Sequence, residues 1–405
     1  MRQSIYWLMA LAAGLVIANN YYNQPLLVDF AHTFAASERD AGEVAIAAQA
    51  GYALGLLLFV PLGDKVDRRK LFAVTLSAAV VALAAMAAAP TLPWLVAASF
   101  AASMASVAPQ LLTPYAAQLA GPQGRGTAVG IVMLGLLGGI LVSRTVSGTI
   151  ATFFGWRTVY IAAAAATALV AIAFIRVLPP VAPTFSGSYR ALMGSLAQLL
   201  REEPVVRQTS FVSALQFAAF SAFWTTLAFH LHSLDARYGS ETAGLFGLVG
   251  IAGASGSYAI GRLTDAYGPR RIVFCATLLF LASYGLLAWV GGTIGGLIVG
   301  VVLLDLGLQS AHVSNMARNL GVRNRAMSRA NTLYMTIRFT GGAMGSLLGN
   351  YAWSVWHWPG VCGVGIVCAC LSLVLQILPG GKEPSAGAAS LPQARASTIA
   401  DARTN

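Results

Sequence analysis

Long apolar runs, each closed by glycine, proline or charge, recur along the whole chain: 4–27, 42–62, 71–89, 93–119, 127–150, 156–178, 208–232, 242–261, 272–290, 294–316, 330–351 and 358–379. A helix crosses the ~30 Å hydrocarbon core of a bilayer with about 20 predominantly apolar residues, so each run suffices for one crossing. Lipid offers the backbone no hydrogen-bond partner, which leaves helices and closed barrels as the only spanning structures. Barrel strands alternate polar and apolar residues, and these runs do not. The expected fold is an all-α polytopic membrane protein with twelve transmembrane helices. Composition agrees, since 57% of the 405 residues are hydrophobic and only 10% charged, where a soluble domain carries about a quarter charged residues. A soluble enzyme is excluded.

The net charge of +11 would point a soluble protein toward nucleic acid, but here the basic residues cluster in short connections beside apolar runs, as membrane topology requires. If the amino terminus is inside, Lys65, Arg68, Arg69, Lys70, Arg125, Arg262, Arg270, Arg271 and most other basic residues fall in inside connections. Only Arg39, Arg157 and Arg237 fall outside, and Arg144 and Arg338 lie within spans. This bias predicts a multi-pass plasma-membrane protein with both termini cytoplasmic. The stretch Ile5 to Ala18 runs on into Asn19 to Pro25 with no small-residue cleavage site, so a retained first helix is expected. Cys275, Cys362, Cys368 and Cys370 all fall in apolar runs without a C-x-x-C pair and read as packing residues.

The longest polar stretch, Pro179 to Arg207, divides the chain into six-span halves at 1–178 and 208–380. Within this 179–207 linker Tyr189, Leu192, Met193, Leu196, Leu199 and Leu200 recur at helical spacing, which predicts an amphipathic helix on the membrane surface. Residues 381–405, rich in Ser and Ala, read as a disordered cytoplasmic tail. Laid side by side, the halves repeat: Asp64 in Gly63 to Lys70 matches Asp265 in Gly261 to Arg271, and Trp156 matches Trp358. Two pseudo-symmetric six-helix bundles with a cavity at their interface would produce this repetition.

These two loops resemble the loop motif of the major facilitator superfamily, a Gly and an Asp followed by basic residues, between helices two and three and again between eight and nine. The second copy keeps Gly261, Asp265, Gly268, Arg270 and Arg271; the first keeps Asp64, Lys65, Arg69 and Lys70, with Val60 and Asp67 at the glycine positions. The resemblance implies a conformational latch, a carboxylate that pairs with neighbouring cations in one state and releases them in another. Span five, with Gly135, Gly139, Ser143 and Ser147 at every fourth position, looks like a weakened form of the antiporter motif of superfamily exporters, with Arg144 in place of its proline. Asn19 to Pro25, Pro61 to Asp64 and Asp305 to Gln309 resemble a bacterial branch of drug and metabolite:proton antiporters, which implies the inner membrane, protons and a small-molecule substrate.

In this fold, helices one, four, seven and ten line the central cavity, so the resemblance directs attention to Asn19, Asn20, Tyr22, Gln24, Gln110, Tyr115, Gln216, Trp224 and Gln309. For each, packing between helices competes with substrate contact. Asp305 is the only acid well inside a span, and with Gln309 and His312 it forms one stripe of helix ten. A proton antiporter needs one titratable group here, and Asp305 or His312 is the candidate. The competing reading is a structural ion pair with Arg338, whose depth in helix eleven differs from that of Asp305 by only about 5 Å at 1.5 Å per residue. Arg144 sits further toward the outside. His32, His230, His232, His312 and His357 show no metal-ligand spacing, and no glycine-rich stretch leads into Lys-Ser/Thr, so neither a metal, a cofactor nor a nucleotide-driven pump is expected.

Together these readings give a monomeric, proton-coupled exporter of a small organic compound that works by alternating access. An importer or facilitator of the same fold is the first alternative, and a non-transporting membrane sensor the second.

Overall fold

A computed structural model describes residues 2–179, 185, 187–320 and 327–378, apart from the side chains of 2–3, 122–123, 125, 251, 254–262, 265, 320 and 327–328. The tail expected at 381–405 lies outside the described residues. Thirteen helices follow one another without a strand among the described residues: α1 (Arg2–Ala18), α2 (Leu27–Phe34), α3 (Glu38–Lys65), α4 (Arg68–Ala87), α5 (Leu92–Ala105), α6 (Ala108–Phe154), α7 (Trp156–Val177), α8 (Tyr189–Glu202), α9 (Pro204–Leu234), α10 (Ser240–Tyr267), α11 (Pro269–Val290), α12 (Ile294–Leu320) and α13 (Met327–Ile377).

Two of these are far too long for one crossing. The 47 residues of α6 would extend about 70 Å at 1.5 Å per residue, more than twice the hydrocarbon thickness. The helix breaks at Gly121, whose φ of +70° suits a residue without a side chain. Its first part continues the direction of α5, so Leu92–Gly121 forms one span and Gly126–Phe154 the next. Likewise α13 turns at His357 (φ 51°), with Pro359 following. Nine stretches among the described residues are long and apolar enough to cross a membrane, and one of them, Arg329–Ile377, has 49 residues and room for two crossings. With α1 and α10 at the places of runs one and eight, the segments follow the order read from the sequence.

Within the first half α1 packs on α6, α3 on α5, and α4 on α7; within the second α9 packs on α13, and α11 and α10 on α12. The halves meet along two pairs, α3 with α13 and α6 with α10. These pairs are spans two with eleven and five with eight, which a two-fold relation between the halves exchanges. In the linker, α8 turns Leu192 and Leu196 inward. Leu196 lies on Val205, Val206, Ala330 and Leu333, so this face covers protein where the sequence suggested a membrane surface.

Close helix contact depends on missing side chains. A Cβ at Gly135 would meet the Ala10 carbonyl and one at Gly139 the Gly14 carbonyl, so the small-residue stripe of span five seats α1. In the second half Gly341 and Gly345 play that part against the carbonyls of Ala214 and Ala218. Gly345→Val is expected to lower stability by about 1–3 kcal/mol through overpacking. Gly130→Ala, at a position with nothing within 4 Å of an added Cβ, should have no such cost. Thermal unfolding of the two purified variants checks the difference.

Candidate functional site

Between the halves lies a cavity of about 60 Å³, lined from the first half by Tyr21, Gln110, Leu136 and Ile140 and from the second by Phe217, Phe220, Gln309, His312, Arg338 and Phe339. Pockets that hold small organic ligands are usually about 300–1,000 Å³, so the conformation described is one in which the cavity is contracted. On the face opposite the two chain ends, four hydrogen bonds join the halves. Ser240 Oγ donates to Asp29 at 2.6 Å, Asn350 Nδ2 to the Arg39 carbonyl at 2.7 Å, Trp353 Nε1 to Glu38 at 2.7 Å and Thr145 Oγ1 to the Gly244 carbonyl at 2.8 Å. The His32 and His232 rings meet edge to face there, 5.8 Å apart. Burial pushes the Asp29 carboxyl above its usual range, while the Ser240 hydroxyl opposes that shift.

Away from the span ends, three charges are buried among the described residues: Arg144, Asp305 and Arg338, each 5% exposed or less; Arg318, also 5% exposed, stands in the last turn of α12. The Arg144 guanidinium donates through Nε to Gln24 Oε1 at 2.6 Å and lies 3.9 Å from the Trp224 ring centre, with Tyr21 at 5.0 Å and Phe220 at 5.9 Å. Gln24 and Trp224, expected in the cavity, therefore surround a cation instead. Asp305 projects from α12 onto the face of α10 where Gly250 and Gly253 leave room, and a Cβ at Gly250 would sit 3.0 Å from its Oδ2. Neither carboxylate oxygen has a hydrogen-bond partner among the described residues. The cation that bears on Asp305 electrostatically is Arg144, which packs one and two turns earlier along α10, at Gly244 and Gly247, on the side that meets α6. Arg338 is not paired with Asp305. It donates to Ser213 Oγ at 2.7 Å and lies 4.3 Å from the Phe217 ring centre. Similar depth along two helices says nothing about direction around them, and Asp305 faces α10 while Arg338 faces the cavity.

The remaining candidates separate into three groups. Gln110, Gln309 and His312 line the cavity, and His312 Nδ1 hydrogen-bonds the Tyr334 hydroxyl at 2.9 Å. Asn19 and Gln216 hold helices together: Asn19 Nδ2 donates to Ser106 and Thr167, and Gln216 Nε2 to Thr277 at 2.8 Å. Asn20 is buried outside the cavity lining. Tyr22 faces a lateral groove between α1 and α6, and Tyr115 donates to the Pro179 carbonyl at the end near the chain termini. Tyr21, Phe217, Phe220 and Phe339 are lining residues that polarity alone does not single out.

At the first loop motif the buried cation is Arg68, outside the set that the resemblance selected. Its Nη2 donates to Asp64 at 3.3 Å, its Nε to the Gly63 carbonyl at 2.9 Å and its Nη1 to Gln118 of span four at 3.1 Å. Lys65 and Lys70 reach outward, and Arg69 donates to the Ile175 carbonyl. The i, i+4 spacing of Asp64 and Arg68 was the available signal. Asp67, standing where the motif has glycine, adopts an ordinary φ of −57° and accepts from the Arg69 amide as the cap of α4. At the second motif Gly268 has φ +84°, which explains why glycine stands there. Arg270 donates to the Gln376 carbonyl at 3.1 Å and Arg271 is exposed, while the side chains at Gly261 and Asp265 lie outside those described.

Residues 9–346 match the Major Facilitator Superfamily. The chain is 39% identical over 369 residues to the Uncharacterized transporter YgaY of Escherichia coli O157:H7, covering 91% of this chain and 93% of that one. It is 36% identical over 360 residues to the Probable transporter SCO4007 of Streptomyces coelicolor, covering 88% and 83%. Among solved structures, the nucleoside transporter NupG superposes with a TM-score of 0.72 at 16% identity over 91% of this chain and 97% of that one. A D-xylose-proton symporter superposes with a TM-score of 0.71 at 14% identity over 93% and 98%. Both likenesses concern the fold. Relatives named as transporters over nearly the whole chain overturn the alternative of a non-transporting sensor.

Arg68→Ala is expected to leave membrane insertion intact and to slow transport about tenfold, since hydrogen bonds to a charged group contribute about 1.5–3 kcal/mol. Initial uptake or efflux rates per inserted molecule check this, and an unchanged rate would reduce Arg68 to packing.

Proposed function

Because the chain belongs to the Major Facilitator Superfamily, we propose that it is a proton-coupled secondary transporter that exports a small organic compound across a bacterial inner membrane by alternating access, with both termini in the cytoplasm. The observation that carries the coupling role is Asp305: fully buried, with neither oxygen partnered among the described residues, one helical turn from the cavity-lining Gln309. An ionised carboxylate buried without a hydrogen-bond donor costs several kcal/mol. In the conformation described it therefore carries its proton, and a shift of α10 along α6 would bring it toward Arg144 and let the proton go.

Proton and substrate then occupy neighbouring places. Gln110, Gln309, His312 and Arg338 face the compound, while Asp305 and Arg144 lie behind the cavity where α6 and α10 cross. Coupling works because the movement that remakes the cavity also changes the distance between the two charges. Export is supported by the small-residue stripe of span five. Arg144, in place of the stripe's proline, favours import as the second reading.

Proteoliposomes with an imposed pH gradient test both. Substrate-driven proton movement against the compound's direction is the result expected, and movement of both in one direction would favour import. Asp305→Asn is expected to abolish gradient-driven flux while leaving substrate exchange at zero gradient. Gradient-driven flux in that variant would move coupling elsewhere.

A further inference from the structure

We propose that the transported compound is an organic anion, a carboxylate on an apolar body, with Arg338 as its counter-charge. The inference rests on the transporter reading and concerns the same cavity. Among the described lining residues Arg338 is the only Asp, Glu, Lys or Arg. Its guanidinium gives one N–H to Ser213, a neutral hydroxyl, and lies against the Phe217 face. Tyr334, one turn earlier on α13, supplies a phenol beside it.

Two comparisons within the molecule separate Arg338 from an ordinary buried cation. Arg144 is enclosed by Gln24 and three aromatic faces and bears on Asp305. Arg68 is bonded to a carboxylate, a carbonyl and an amide. Arg338 has one aromatic face and neutral hydroxyls but no acid, amide or carbonyl partner among the described residues, and it lines the space into which a ligand would come. A guanidinium held in a span without an acid is costly, and its planar fork matches the two oxygens of a carboxylate.

The rest of the wall selects the body of the ligand. Ile17, Leu136, Ile140, Phe217, Phe220 and Phe339 present apolar and aromatic surface, which rewards a hydrocarbon or aromatic group and gives nothing to a hydrated inorganic ion. Gln110 and Gln309 face this space as amides, able to donate to or accept from a further polar substituent. A cationic drug would meet Arg338 with no acid in the lining to offset the repulsion.

The test is equilibrium binding to the purified full chain in nanodiscs, without any gradient, using benzoate, 1-naphthoate and decanoate against benzylamine, benzyl alcohol and inorganic phosphate. Ligand-induced thermal shift and titration calorimetry are the readouts. At least one organic carboxylate should bind at least about tenfold more tightly than benzylamine and phosphate, and Arg338→Gln should lose that preference while Arg338→Lys keeps part of it. Should Arg338→Gln fail to fold, the charge series on the unaltered protein decides alone. Equal or tighter binding of benzylamine, phosphate binding as tight as benzoate, or no binding of any carboxylate would overturn the proposal. Gradient-driven flux of a neutral or cationic compound by the same protein in proteoliposomes would do so too while leaving the transporter reading intact.

Discussion

A charge inside a bilayer has no water to turn to, and the arrangement of this molecule follows from how it meets that demand three times. Arg144 is enclosed by an amide oxygen and aromatic faces, the Trp224 ring at 3.9 Å foremost, which is a cation–π solution that needs no acid. Asp305 has no donor among the described residues, a state that a proton relieves. Arg338 turns to the cavity. On the function proposed here the three solutions differ in permanence: the first is built from fixed side chains, the second from a proton and the third from a ligand, and only the last two would change during a cycle.

What places these charges near one another is the absence of side chains on α10. Gly244, Gly247, Gly250 and Gly253 recur every third position, a row that winds around α10 from the side of α6, where the first two meet Arg144 and its neighbours, to the side of α12, where the last two meet Asp305. Small residues let helices approach until backbone touches backbone, and such a surface has few knobs to resist sliding. The α3 and α13 pair is the symmetry counterpart of this crossing, and there Gly42 sits against Asn350 while Tyr52 rests on Phe339 at 4.5 Å. The halves thus meet on two equivalent seams with the cavity between them and the bonded face beyond.

The architecture was legible because lipid makes hydropathy almost sufficient: runs at 42–62 or 272–290 have no other use than crossing, and the loop motifs at Asp64 and Asp265 place the repeat. The resemblance directed attention to helices one, four, seven and ten, and of the residues it selected Gln110 and Gln309 line the cavity, beside His312, read as a coupling candidate, and Arg338, read as the partner of Asp305. Direction around a helix was not legible. Depth put Asp305 opposite Arg338, yet the glycine face of α10 draws Asp305 away from the cavity, and that attraction lies in residues that carry no chemistry of their own. Tyr22 and Gln24 are two apart and point to a lateral groove and to Arg144 respectively, a difference that a 3₁₀ turn at Gln24–Leu26 helps set. Arg68 was passed over because the resemblance fixes attention on the motif's own positions, while its role comes from an i, i+4 carboxylate and from Gln118 on another span.

The central claim is that the two halves close on one face and rock about the seams to close on the other. Distances by electron paramagnetic resonance test it directly, with spin labels at Thr33 and Leu234 on the bonded face and at Lys70 and Arg271 on the face of the chain ends, after replacement of the exposed Cys275 and Cys370. On acidification or substrate addition the first distance should lengthen as the second shortens, through opposite changes in the same population. Two distances that stay fixed under every condition, or that lengthen together, would contradict it.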